Sequence, residues 1–225
     1  MRVASYNIRK AVGLDWRRDP DRIVDVLAEI NADIIVLQEA DRRVGTRAGV
    51  LPLDRLETEF DYIMTDVSLH PLSHGWHGNA ILVRSRFADH VPERIELPTL
   101  EPRGAVSVRL EQPQLEVIGV HLGLTPGMRR KQMSTLQEVM KDRDHPVLLA
   151  GDFNEWNVGR LPFDAPQMLS LRDRASTQPV RPLRLTDLFS ARGYAQCRHM
   201  CIIPLWRNAH RITCLSSSTL PSRRP

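Results

Sequence analysis

No cysteine precedes Cys197, and no acidic residue occurs from Tyr194 to Pro225. The three cysteines, Cys197, Cys201 and Cys214, are odd in number, so a disulfide framework is not expected in a chain of 225 residues. Nor is there an apolar run near the roughly 20 residues that span a bilayer. Met1-Arg2-Val3-Ala4-Ser5 leads straight into a strand pattern rather than a signal peptide, and the expected location is cytoplasmic. Internal repeats and low-complexity segments are also lacking. What remains is a chain long enough to bury one substantial core.

The pI of about 9.3 invites a nucleic-acid reading. The distribution of charge argues against it. Five arginines, Arg198, Arg207, Arg211, Arg223 and Arg224, fall in the acid-free tail, which leaves 26 basic against 27 acidic groups in residues 1–193. The organisation expected is a single domain over 1–193 and an atypical tail over 194–225. In the tail, Cys197-x3-Cys201 and His210-x3-Cys214 have the short spacing of a zinc knuckle, but such pairs also arise by chance.

Along the body, residues 2–8 read as a strand and Ile34-Ile35-Val36-Leu37 as a strand buried on both faces. Between them a helix is marked by Asp19 as cap, Pro20 at its first position and a stripe of Ile23, Val26, Leu27 and Ile30. A short helix over Leu53–Phe60 precedes strands at Tyr62–Val67, Asn79–Val83, Ala105–Leu110 and Leu115–His121. Thr125-Pro126 opens another helix with Met133, Leu136, Val139 and Met140 inward, and Pro146–Ala150 is a buried strand. Leu161–Arg184, with four prolines, reads as surface loop.

Strand ends carry the polar residues that suggest chemistry: Asn7, Glu39, His121, and Asp152 with Asn154. Each alone has a plain structural reading, such as a turn cap, a solvated acid or a core histidine. Together they form an ordered set. Ser5-Tyr6-Asn7-Ile8, Leu37-Gln38-Glu39, Gly78-Asn79-Ala80-Ile81-Leu82, Val120-His121-Leu122 and Gly151-Asp152-Phe153-Asn154 resemble the motifs of the endonuclease/exonuclease/phosphatase (deoxyribonuclease-I-like) family. The resemblance covers residues 1 to about 155.

It implies an α+β fold, a four-layer α/β/β/α sandwich, here lacking its final strand. It also implies a hydrolase of phosphoester bonds that uses Mg²⁺ or Mn²⁺. By that resemblance Glu39 and Asn7 serve the metal, for which a carboxylate is a suitable hard ligand. Asp152 and Asn154 orient the attacking water and hold the phosphate, and His121 contacts the phosphate or assists the leaving group. Asn79 supports the site, and Arg42 and Arg103 are candidate phosphate contacts. The substrate stays open among nucleic acid, a lipid head group and a small phosphoester; no obligate protein partner is evident.

Two motifs of the family are not intact. Arg198-His199-Met200-Cys201-Ile202 stands where a Leu-Asp-Arg-Ile-like strand is expected, and the closing Ser-Asp-His before Leu-Pro occurs nowhere. If His210 to Leu215 are encoded CAT CGG ATC ACC TGC CTT, dropping two bases gives codons for Ser-Asp-His-Leu-Pro. Out-of-frame translation from about Ile203 therefore accounts for the missing motif, the loss of acids and the sudden cysteines. The expectation is a hydrolase impaired as written, with a non-catalytic metal- or phosphate-binding protein on the same scaffold as the alternative.

Overall fold

A computed structural model describes residues 1–99 and 103–154, and the backbone of four strands within 168–216. The first strand, β1 (Arg2–Asn7), is followed by a single tight turn and then by helix α1 (Pro20–Ile30). The Asp19 carboxylate accepts from the Arg22 amide at 3.0 Å, so the sequence-predicted cap is formed. Strand β2 (Ile34–Gln38) is buried along its whole length, as the unbroken apolar run demands.

After α2 (Leu53–Phe60) come β3 (Tyr62–Met64), β4 (Ala80–Arg84), β5 (His90–Glu96), β6 (Gly104–Leu110) and β7 (Leu115–His121). Helix α3 (Pro126–Lys141) leads into β8 (Val147–Asp152). Thr125 takes the cap position of α3 but makes no side-chain capping bond. β5 has no counterpart in the sequence reading: it is an edge strand, mostly exposed and containing Pro92, so it carries no two-sided apolar signal.

The last four strands are β9 (Met168–Leu171), β10 (Leu188–Ala191), β11 (His199–Ile202) and β12 (Thr213–Ser216). β9 corrects the expectation that all of Leu161–Arg184 is loop: its backbone pairs antiparallel with β10. The prolines that suggested a loop flank this short Met-Leu-Ser-Leu segment rather than interrupt it. At the margin where the closing strand is expected to be missing, β12 lies antiparallel to β11. The zinc-knuckle positions Cys197 and His210 lie outside the described residues.

Two six-stranded sheets result, in the orders β12-β11-β1-β2-β4-β3 and β5-β6-β7-β8-β10-β9. Strand alternation sorts the core into three apolar layers. Ala4, Ile35 and Leu37 pack on one side with Ile23, Val24 and Leu27 of α1. Val3, Ile34 and Val36 face the other way, onto Val106, Val117 and Leu148 of the second sheet. Ile118, Val120 and Leu149 then meet Met133, Leu136 and Met140 of α3. Helix, sheet, sheet and helix are thus stacked, and burial of each such aliphatic side chain contributes roughly 1.5–3 kcal/mol. Among the described residues no helix is long and apolar enough to cross a membrane.

Candidate active site

The parallel pairs β1/β2 and β7/β8 bring the ends of four strands to one rim. Their registers set Asn7 beside Gln38 and His121 beside Asp152. A parallel pairing aligns like ends, so the residues that leave these strands emerge together.

Asn7 joins the two sheets. Its Nδ2 donates to Glu39 Oε1 at 3.3 Å and to Asp152 Oδ2 at 3.0 Å, while its Oδ1 accepts from the Arg9 amide at 3.1 Å. One buried amide therefore holds two carboxylates side by side that otherwise repel. The second oxygen of Asp152 accepts from the Asn154 amide at 3.0 Å, and Asn154 Nδ2 donates to Leu122 O at 2.8 Å. His121 Nε2 stands 3.9 Å from Asp152 Oδ2. Gly151 is required where β8 passes β7, because a Cβ there would lie 2.0 Å from Val120 O.

Strained backbone clusters at this rim. Glu39 has φ +55° and Asn154 φ +50°, and Arg9, Lys10 and Ala11 are all left-handed. Such conformations persist where neighbours over-determine them. Here Lys10 N donates to Glu39 O at 3.0 Å, and Ala40 N to Gly78 O at 2.9 Å. Gly78, at φ +82°, lies against the Glu39 backbone, which explains the glycine of the Gly78-Asn79 motif.

The turn after β1 also delivers Lys10, whose ammonium pairs with Glu39 Oε2. Burial opposes the charge of Glu39, yet the Lys10 contact, the nearby His121 and the Asn7 amide together hold its carboxyl below the usual range. Lys10 is a site residue that the sequence reading missed; only the turn that follows Asn7 hinted at it.

Asn79 lies elsewhere. It is fully buried, and its Nδ2 donates to Gly104 O at 2.7 Å, tying the Trp76–Asn79 turn to β6. It supports a wall rather than reaching the carboxylates. Arg42 and Arg103 line the same cleft as Glu39 and His121, and Arg103 Nη1 also donates to Leu122 O at 3.1 Å.

That wall depends on Asp41, another residue the sequence reading missed. Its carboxylate accepts from His74 N at 2.7 Å and Gly75 N at 3.3 Å, pinning the loop before β4 onto the loop after β2. Burial raises the Asp41 carboxyl above its ordinary value against these bonds, and burial lowers the His74 imidazole.

The chain matches the model of the endonuclease/exonuclease/phosphatase family over residues 4–212. It belongs to that family. The match continues beyond the Gly151–Asn154 motif into the tail. Among curated relatives, the uncharacterized protein YbhP of Escherichia coli K12 is 31% identical, with 69% of this chain and 67% of that protein covered. TDP2 from Caenorhabditis elegans aligns at a TM-score of 0.63 and 17% identity over 84% of this chain. The chain spans 64% of that TDP2 chain. The mannosyl-6-phosphatase Bt3783 of Bacteroides thetaiotaomicron aligns at a TM-score of 0.55 and 17% identity, covering 89% of this chain and 86% of its own. At such identity these structures establish the shared family fold.

No group of three or more His, Cys, Asp or Glu side chains converges among the described residues. The oxygen donors of the rim are of the kind a small hard cation takes, although Lys10 holds Glu39 Oε2 here. Glu39, the free lone pair of Asn7 Oδ1 and neighbouring Asp152 are oxygen donors, and Mg²⁺ commonly takes one or two carboxylates and completes its shell with water and phosphate oxygens.

Proposed function

We propose that this chain is a hydrolase of phosphodiester or phosphomonoester bonds that uses Mg²⁺ or Mn²⁺ in the cytoplasm, impaired as written because Ser-Asp-His is missing. The observation that carries the reading is the Asn7 amide holding Glu39 and Asp152 together across the two sheets, in a chain whose family is one of phosphoester hydrolases. Glu39 and Asn7 hold the cation, which when bound neutralises phosphoryl oxygens as charge develops.

The remaining groups take the other roles. Asp152, fixed by Asn7 and by the Asn154 amide, orients the water and withdraws its proton. Asn154 positions the phosphate, and His121 faces the leaving oxygen. Lys10 and Arg103 supply positive charge beside the phosphate, with Arg42 further out in the cleft. Asn79 acts at a distance, by fixing the Trp76 turn.

Turnover of bis(p-nitrophenyl) phosphate that requires added Mg²⁺ and stops with EDTA tests this reading. The absence of Ser-Asp-His from the sequence favours a second one, a binding protein on the same scaffold. Metal binding without turnover selects it.

Two further results are expected. Lys10→Met removes a group that keeps Glu39 ionised, so the acid limb of the pH–rate profile moves to higher pH. An unmoved limb disconnects Glu39 from the rate. Sequencing the coding DNA from the Thr186 codon onward is expected to show Ser-Asp-His-Leu-Pro in another frame. If no frame supplies it, the out-of-frame reading of the tail fails.

A further inference from the structure

The cleft beside the carboxylates has a volume of about 260 Å³, at or just below the small end of ligand pockets. Its inner end is the site already described, with Lys10, Glu39 and His121. Its outer wall is different in chemistry: Arg42, Arg43, Arg47, His70 and His77 line it. These come from the loop after β2 and the loop before β4, which are joined by Asp41, by Gly49 N donating to Leu72 O at 2.7 Å, and by Ser73 Oγ donating to Arg47 O at 2.9 Å. The wall is therefore a built structure in which each loop is bonded to the other.

The charges of Arg42 and Arg47 have no ion-pair partner among the described residues, whereas Arg22, Arg55, Arg86 and Arg143 all have one. Asp41, the acid nearest these cations in sequence, spends both oxygens on backbone amides. Burial, reinforced by the charges of Arg47 and His70, holds the His77 imidazole below its ordinary value, and its Nδ1 is buried without a hydrogen-bond partner. The Trp76 ring, 4.7 Å from that of His77, gives the wall an apolar floor.

We infer that the outer wall is a second anion subsite, so that the substrate is a compact phosphoester bearing a further phosphate beside the scissile one, bound through Arg42 and Arg47. This rests on the reading of the carboxylate rim as the hydrolytic site. The body of the chain carries no excess of positive charge that would favour a polymer, since residues 1–193 hold 26 basic and 27 acidic groups. A nucleic-acid groove instead carries charge along an extended surface.

Non-hydrolysable probes test the subsite apart from turnover. Propylphosphonate and 1,3-propanediylbisphosphonate are titrated calorimetrically into the purified chain with Mg²⁺ present. The expected result is at least tenfold tighter binding of the bisphosphonate, a preference lost in the double variant Arg42→Gln/Arg47→Gln with an unchanged melting temperature. Equal affinity of the two probes for the parent chain overturns the subsite, as does a preference that survives the double substitution. Binding of a twelve-residue oligothymidylate tighter than the bisphosphonate also overturns it, in favour of a polymer. Turnover of bis(p-nitrophenyl) phosphate in the same preparation separates the two ideas. Turnover without the preference leaves the hydrolase and removes the subsite, and the preference without turnover does the reverse.

Discussion

Asp152→Ala is expected to lower kcat/KM for bis(p-nitrophenyl) phosphate with Mg²⁺ by on the order of a thousandfold, about 4 kcal/mol of transition-state stabilisation. The Asp152 carboxylate is the group on which the rim converges: Asn7 Nδ2 and the Asn154 amide each donate to it at 3.0 Å. Its removal takes away the proposed base and frees both partners. The two abandoned donors cost stability as well, roughly 1–3 kcal/mol each before water enters the space. Activity is therefore to be compared below the melting transition of the variant. Asp152→Asn keeps the shape but turns one acceptor into a donor facing other donors, so it is expected to lose nearly as much. Retention of more than a tenth of the parent rate by the alanine variant removes Asp152 from the chemistry.

Glu116→Ala is expected to produce the largest loss of stability without touching the site. Glu116 lies at the start of β7, five residues before His121, so it is on the order of 17 Å from the rim. It is 1% exposed. His145 Nε2 stands 2.8 Å and Arg143 Nε 3.0 Å from its Oε2, while Arg143 Nη2 reaches Glu93 Oε2 at 2.6 Å. The other nitrogen of His145 is 2.9 Å from Asp144 Oδ1, and this hydrogen bond lowers the Asp144 carboxyl.

Removing Glu116 leaves buried His145 and half-buried Arg143 facing each other without the acid between them. Loss of one partner from a buried ion pair typically costs about 3–5 kcal/mol. At about 2–4 °C per kcal/mol for a chain of this size, the melting temperature falls by on the order of 10 °C. The rate per folded molecule is expected to be unchanged at low temperature. A combined replacement, Glu116→Leu with Arg143→Met and His145→Phe, is expected to recover most of the loss, since a packed apolar trio carries no desolvation penalty. A shift under 2 °C for Glu116→Ala shows that the cluster is hydrated in solution and contributes little.

The layers were legible because each depends on periodicity. The stripe of α1 and the apolar run of β2 announce one stripe and two buried faces; the structure buries β2 throughout and Ile23, Leu27 and Ile30 of α1, with Val24 rather than Val26 completing the buried stripe. β5 was not legible, because an exposed edge strand has no face that must be apolar. Asn7, Glu39, His121, Asp152 and Asn154, which the structure brings to one rim, were legible as a set because each lies at or shortly past the end of a readable strand. Their positions are fixed by local chain direction.

Lys10, Asp41, Arg47 and His77 could not be found in that way. Lys10 reaches Glu39 only because three left-handed residues turn the chain back over β2. Asp41 and His74 are separated by a helix and a strand, and their contact exists because the antiparallel pairing of β2 with β4 sets the loop after one beside the loop before the other. Asn79 shows the converse: the sequence placed it within a motif, but only its bond to Gly104 O shows that it fixes a wall.

The sequence by itself determined the family, the strand-end donors and the two broken closing motifs, since these are matters of residue type and order. Tertiary structure alone decided that one amide joins the two carboxylates, that a lysine covers one of them, and that the cations of two loops face the same cleft. Those facts depend on distances between segments far apart in the chain, and no local pattern encodes them.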